Sequence, residues 1–407
     1  MPPVPDSPAF CMLPWTHLSV EPSGEVLPCC LSTLSLGALE GSSLAEKWDA
    51  PELRTLRLDM LAGRMNPACS VCHHADRAGA LSLRRWANDR FAAHSDRVAA
   101  TAPDGRAGEL HLPYMDVRFS NACNFACRTC NPGLSTGWYK DAAKMSGPMR
   151  EAMTSARTIR PLAEESRLWR ELEPLLPSVE EIRFQGGEPL VMKEHYRVLD
   201  ALLERGLTKV ALIYNTNFSV TRFQGRDVMR LWDRFETVRV TASLDAMGSR
   251  AEYLRKGQRW ADAVANRERM LTDCPRAEFS LAPTLSAMNA LHLPDLHRDW
   301  VERGLVEPNS ITISSLVTPA AFSAQILPAS LKRAVADRYA AHARDFLGPL
   351  GERGARATAQ FDAAVRLMEA ADGSARLPEF KAKVAEVDAL RGESFAAVFP
   401  ELAELMR

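Results

Sequence analysis

The middle of this chain reads as an α/β fold, with a cysteine-rich module before it and a helical stretch after it. Two patterns predict this. Six short β-like runs, at 114–120, 181–185, 209–216, 237–244, 278–285 and 310–317, alternate with helix-compatible segments at 160–176, 194–205, 222–235, 260–271 and 291–303. Repeated β–α units build a parallel sheet with crossover helices. The second pattern is that eight of the nine cysteines lie before residue 131, in tight groups. Six units fall short of the eight that close a full barrel. A curved, partly open (βα)6 barrel over 112–327 is therefore expected, after a cysteine-rich domain and linker over 1–111 and before a helical extension over 328–407.

The composition bounds what the chain can do. Its 407 residues suffice for two or three domains, and 46% hydrophobic with 25% charged residues is ordinary for a globular protein. The net charge of -1 gives no global field toward nucleic acid or an anionic membrane, and interleaved aromatic and basic clusters are missing. No apolar run approaches the roughly 20 residues of a membrane helix. The N-terminus is rich in proline and lacks a basic n-region, so a cytoplasmic protein is expected. Nine cysteines without a secretory signal point to metal or catalysis rather than disulfides. Cys274, before Pro275 at an expected helix end, reads as a structural thiol.

The first stretch carries Cys11, Gly24, the pair Cys29-Cys30, and Cys69-Ser70-Val71-Cys72. Segments 17–20 and 25–27 read as a small hairpin around Pro22-Ser23-Gly24. Segment 45–61 has helical periodicity, with Leu53, Leu56, Met60 and Leu61 on or near one face. Spaced thiols plus a turn glycine describe a cage that folds around metal, and so small a domain is expected to draw much of its stability from that metal. The spacing Cys69-x2-Cys72 also suits zinc. Segment 73–91 reads as helical, with Arg84 and Arg85 on a solvated face, and 99–108 as a turn-rich linker.

Just after the first β-like run comes Cys123-x3-Cys127-x2-Cys130. Soft thiolates on one short loop select zinc or an iron–sulfur cluster. A closed zinc site or an ordinary 4Fe–4S cluster takes four protein ligands. Three from one loop would leave one iron open to an outside ligand. The bland alternatives are a zinc loop with its fourth ligand elsewhere, or unligated buried thiols.

The other strand ends are polar. Gly186-Gly187-Glu188-Pro189, Asn215-Thr216-Asn217, Ser243-Leu244-Asp245 and Pro283-Thr284-Leu285-Ser286 follow or end the next four runs. Strand C-termini of a parallel βα sheet share one face, where sites form. Asn215 with Asn217, and Ser243 with Asp245, are two apart and point to the same side of a strand. Singly, Gly-Gly-Glu-Pro could be a turn, and Ser243 or Asp245 a helix cap. The tail has amphipathic segments at 331–347, 355–371 and 380–390 and no cysteine.

The loop Cys123, Cys127, Cys130 after a first strand resembles the radical S-adenosylmethionine (radical SAM) superfamily. The resemblance implies these three as ligands of a 4Fe–4S cluster whose open iron is chelated by SAM. An electron from the cluster then splits SAM to methionine and a 5′-deoxyadenosyl radical, which abstracts hydrogen from substrate. Thr129 stands where that family often has an aromatic residue near the adenine. Gly186, Gly187 and Glu188 match the family's motif at the SAM amino group. Ser243 and Asp245 match strand-four positions near ribose and methionine, and Asn217 a strand-three position. Arg255 is implied as a partner of the SAM carboxylate, the bland alternative being a surface arginine. The pattern Cys11-x12-Gly24-x4-Cys29, closed by Cys69-x2-Cys72, resembles the SPASM/twitch auxiliary-cluster modules of such enzymes, although most of those follow the barrel. It implies a second 4Fe–4S cluster on Cys11, Cys29, Cys69 and Cys72, with Cys30 spare or exchanging with Cys29. A peptide or protein side chain is then the first expectation for substrate, and a sugar- or amino-acid-derived metabolite the second. An electron donor such as flavodoxin or ferredoxin is implied as partner. The non-enzyme alternative is a zinc-stabilised binding module.

Overall fold

The structure is a computed structural model and describes residues 5–77, 79, 82–155 and 167–407. It divides into two compact units. One is Met1–Asn121 with Ile159–Gly186 and Met192–Ile213; the other is Ala122–Thr158 with Gly187–Val191 and Tyr214–Arg407. The fold class is α/β, with parallel strands, intervening helices and a C-terminal helical stretch, as the alternating pattern predicts.

In the first unit the hairpin Ser19–Val20/Val26–Leu27 is antiparallel, and its first strand runs parallel beside Tyr114–Val117. Tyr114–Val117 in turn pairs in parallel with Glu181–Phe184, in the register Tyr114↔Glu181 to Val117↔Phe184. Ala211, opening the strand Ala211–Thr216, donates its N–H to Glu180 O at 2.9 Å. The helix Lys193–Glu204 buries His195, Tyr196, Val198, Leu199, Ala201 and Leu202 along one face. Less buried residues, Lys193, Arg197, Asp200 and Glu204, occupy the opposite face, the period-3.6 pattern of a crossover helix.

Around the N-terminal cysteines the sequence predicts one helix over 45–61, but two form, Leu44–Trp48 and Pro51–Leu61. Pro51 lacks an N–H, so it suits the first position of a helix and cannot continue the preceding one. Ser43 and Glu46 close a capping box on the first helix. The second buries Leu53, Leu56 and Met60, each contributing about 1.5–3 kcal/mol by burial. Phe10, Trp15 and Trp48 are also fully or almost fully buried. Arg57 is buried over Trp48, with its guanidinium 4.5 Å from the ring centroid and donating to Pro14 O and Trp48 O. This stretch therefore has a core of its own, beside whatever stability a bound metal would add. The helix expected over 73–91 is also two, Ser70–Arg77 and Leu83–Arg90.

In the second unit Val238–Ala242 and Glu278–Leu281 pair in parallel. The fifth run breaks after Leu281 and resumes as Thr284–Leu285, parallel to Ser314–Ser315. Proline at 283 has no N–H to give the ladder, and its carbonyl accepts from Ser314 N–H at 3.1 Å. Leu281 O accepts from Thr312 N–H at 2.9 Å, so the sixth run does lie beside the fifth. The sequence predicts a helix over 222–235. Instead Arg222–Phe223 and Arg226–Asp227 form a hairpin, and a short helix Val228–Trp232 follows. Gln224 and Gly225 both have positive φ, as a two-residue hairpin turn requires. Asp227 then caps the helix by accepting from Met229 N–H. The start of the helix expected over 160–176 lies outside the described residues; its described part is Arg167–Leu172 followed by a 3-10 stretch to Ser178.

The tail forms the helices Ala329–Ala341, Glu352–Glu369 and Leu377–Arg391, with Phe395–Val398 and Pro400–Met406 after them. Among the described residues no helix is long and apolar enough to cross a membrane.

Candidate active site and cluster-binding cysteines

The loop from Cys123 to Cys130 is pinned by its surroundings. Cys123 N–H donates to Thr136 Oγ1 at 3.2 Å, and Trp138 Nε1 donates to Cys127 O at 2.9 Å. Cys127 pairs with Arg255 in a short antiparallel ladder, and Arg128 N–H donates to Leu254 O at 2.8 Å. Gly257 completes this contact. A Cβ there would meet Asn124 O at 2.8 Å and the Phe125 ring at 2.9 Å, and its φ is +105°. Only glycine combines that backbone conformation with so close an approach.

The three thiols differ in environment. Cys127 donates to the Cys130 sulfur, which raises the first thiol and lowers the second. Burial pushes Cys123 up to about 12, with a further rise from the Glu188 carboxylate nearby. Phe125 N–H donates to the Cys123 sulfur at 3.5 Å. The Arg255 guanidinium lies 3.9 Å from the Cys127 sulfur and favours thiolate at both Cys127 and Cys130.

The predicted strand-end residues converge on this loop. Asp245 accepts from Arg255 Nε at 2.7 Å with one oxygen and from Thr284 N–H at 2.8 Å with the other. Arg255, half-buried, is therefore fixed between a carboxylate and a cluster-loop thiol. Glu188 is 1% exposed and fully engaged. Its carboxylate accepts from Thr216 Oγ1 at 2.7 Å, Asn217 N–H at 2.6 Å and Leu190 N–H at 3.0 Å, while its own N–H reaches Ala122 O. Burial outweighs these bonds and pushes the carboxyl up to about 7. Asn217 Nδ2 donates to Asn124 Oδ1 at 2.9 Å, joining the third strand end to the loop. Ser243 meets the same strand end through its N–H to Thr216 O at 2.8 Å. Gly187 has φ +51°. Gly186, counted with the first unit, has φ +81°, and a Cβ there would lie 3.1 Å from Arg118 Cβ.

Two contributors are not singled out by sequence reasoning. Thr216 sits inside the Asn215-Thr216-Asn217 motif, where its asparagine neighbours draw the attention. Arg128 lies inside the cysteine motif itself. It is 4% exposed and donates to Asp388 and Glu393, each at 2.6 Å, from the last helical stretch. Its guanidinium also stacks 3.6 Å from the Tyr253 ring centroid. A long basic side chain between two metal-ligand positions is the available signal.

In the first unit Cys11, Cys29, Cys69 and Cys72 line one small pocket. Burial raises all four, Cys11 to about 12 and Cys69 to about 11. Backbone N–H groups offset this at three of them: Leu13 donates to Cys11, Leu31 to Cys29, and Leu83 and Arg84 to Cys72. N–H groups aimed at sulfur favour thiolate over thiol, which suits soft metal ligands. Cys30 lies apart from the cavity, where burial, and then the nearby Asp116, push its thiol up to about 12. Arg84 does not cover a solvated face as expected. It lines the cysteine cavity and donates to Asp76, Ser7 O and Phe10 O, while Arg85 is exposed. Among the described residues no group of three or more His, Cys, Asp or Glu could hold a metal ion as placed. The donor chemistry of both sets, soft sulfur with N–H or guanidinium support, fits iron–sulfur clusters.

The stretch that carries the N-terminal cysteines is similar to a known family. Residues 11–73 match the SPASM family model, an iron–sulfur cluster-binding domain. The auxiliary-cluster module expected at the N-terminal side of the chain is thus present. No curated protein sequence matches the chain. Among solved structures, histidine-tagged anSMEcpe with bound AdoMet aligns at 15% identity and a TM-score of 0.37, over 51% of this chain and 50% of that one. The chain thus spans about half the length of anSMEcpe. Streptococcus suis SuiB bound to S-adenosylmethionine aligns at 12% identity and a TM-score of 0.36, over 81% and 67%. SuiB bound to its precursor peptide SuiA gives 13% identity and a TM-score of 0.37, over 81% and 68%.

Proposed function

We propose that the chain is a radical SAM enzyme with an auxiliary iron–sulfur cluster, acting on a peptide or protein side chain. In this reading 1–111 holds the auxiliary cluster and its linker, 112–327 carries the SAM chemistry, and 328–407 supports it. The observation that carries the reading is the three-thiol loop with Arg255, Asp245 and Glu188 brought to it from three other segments. A 4Fe–4S cluster on Cys123, Cys127 and Cys130 supplies, when bound, the electron that cleaves SAM to a 5′-deoxyadenosyl radical.

The protein's own residues bind and orient. Arg255 places a fixed positive charge beside Cys127, which favours the thiolate and suits the SAM carboxylate. Asp245 holds that guanidinium in place and so sets its direction. Glu188, next to Gly187, is tied to the third strand end through Thr216 and Asn217. The glycines let backbone groups approach the SAM amino group without a Cβ in the way. Asn217 and Ser243 complete the polar rim. The electron comes from a reduced donor such as flavodoxin or ferredoxin, which accords with a cytoplasmic setting.

SAM binding tests the pocket. Glu188→Ala and Asp245→Ala each remove charge-assisted hydrogen bonds worth about 1.5–3 kcal/mol, so affinity should fall roughly tenfold or more. Iron content should be unchanged, since neither residue is a thiol. Equilibrium binding of SAM to reconstituted variants measures this. Unchanged affinity in both would place the pocket elsewhere.

A further inference from the structure

His73 is an unused group in the N-terminal module. It follows Cys72 on the helix Ser70–Arg77, is 5% exposed, and lines the cavity of Cys11, Cys29, Cys69 and Cys72. Its Nε2 is buried and has no hydrogen-bond partner among the described residues. Arg84, the other basic side chain lining it, differs in this respect. Its Nε bonds Asp76 at 2.8 Å and its Nη1 bonds Phe10 O at 3.0 Å, so it is held away from new partners.

A buried imidazole nitrogen without a partner is destabilising. Such a group in a ligand cavity points to an acceptor that belongs to the ligand. Four cysteines already complete the protein ligands of a 4Fe–4S cluster, so the imidazole is not needed as a ligand. The acceptors such a cluster presents are its sulfide and thiolate sulfurs. We infer that His73 donates its Nε2–H to a sulfur of the auxiliary cluster, and so sets that cluster's reduction potential. Hydrogen bonds to sulfur stabilise the more negative, reduced state. Removing this donor should shift the potential to more negative values without loss of iron.

The inference rests on the four-cysteine cluster reading, and the test separates the two. Full-length protein is reconstituted anaerobically as wild type, His73→Leu and His73→Gln. Iron per chain and the potential of the N-terminal cluster are measured by redox titration followed by electron paramagnetic resonance. Full iron in all three, a more negative potential in His73→Leu and a return toward wild type in His73→Gln are expected. An unchanged potential in His73→Leu overturns the inference alone, and loss of cluster iron from both variants makes His73 a ligand and also overturns it. Wild type without iron on the N-terminal cysteines overturns the cluster reading and this inference with it. Pulsed resonance of wild type labelled with 15N-histidine decides the matter even if His73→Leu does not fold. A weak nitrogen coupling, lost in His73→Gln, is expected; no coupling, or one as strong as a direct ligand gives, contradicts hydrogen bonding.

Discussion

His297 and His342 meet in the interior of the second unit, 0% and 1% exposed, with Nδ1 of the first 3.0 Å from Nε2 of the second. His297 Nε2 donates to Pro308 O at 2.9 Å. Its Nδ1 must then accept, so His342 Nε2 carries the donated hydrogen and both rings are neutral. Burial lowers them, His297 to about 4 and His342 to about 3. Because the folded values lie below the ordinary 6.5, the stabilisation is present above that pH and is lost as pH falls toward 4. The His297 shift alone should cost about 2 kcal/mol between pH 7 and pH 5. Denaturant titrations over that range, compared with His342→Phe, read the effect. The variant should lose less stability on acidification than wild type; parallel curves would remove the pair from the account.

At the scale of elements, the last helical stretch is tied to the cysteine loop. Arg128 joins Asp388 and Glu393, and Arg391 donates to Asp141 at 2.8 Å and to Ala126 O at 2.9 Å. Val387 and Leu390 pack with Ala126, Cys130 and Trp138. Without that cation Asp388 keeps only its bonds from Tyr253 Oη and Phe395 N–H, and Glu393 only its pair with Lys256, so the cost falls below the about 3–5 kcal/mol of a buried charge left wholly unpaired. Arg128→Ala should therefore lower the denaturation midpoint and the iron retained on the three-cysteine loop, with the N-terminal cluster unaffected. Iron per chain and limited proteolysis of the loop check this; full retention of both clusters would make the tail a mere appendage. None of this tie is visible in sequence, because partners 260 and 265 residues apart leave no local pattern. The six strands and most helices are legible, since burial on one face imposes its period on the residues. The exceptions have local causes. Pro51 splits one expected helix, and the Gln224-Gly225 turn replaces the start of another.

For the whole molecule, the cysteines are legible as two sets from spacing alone, and each set is gathered by its own unit. What spacing misses is the core around Phe10, Trp15, Trp48 and Met60. With that core in place, Cys69→Ala and Cys72→Ala should lose the auxiliary cluster yet keep the fold of the first unit. Near-wild-type protease resistance with about half the iron is the expected result; global unfolding would show that the metal, not the core, holds the module together.

The two sets should also differ in chemistry. Only the loop of Cys123, Cys127 and Cys130 is a three-ligand set, with Arg255 and Asp245 beside it. The most direct measurement is 5′-deoxyadenosine formation by reduced, anaerobically reconstituted full-length protein, compared with Cys127→Ala and Cys72→Ala. The account predicts slow formation by wild type, none by Cys127→Ala, and retained formation by Cys72→Ala, even where product is no longer made from substrate. It would be contradicted by 5′-deoxyadenosine from Cys127→Ala, or by a wild-type protein that takes up stoichiometric zinc, no iron, and leaves SAM intact.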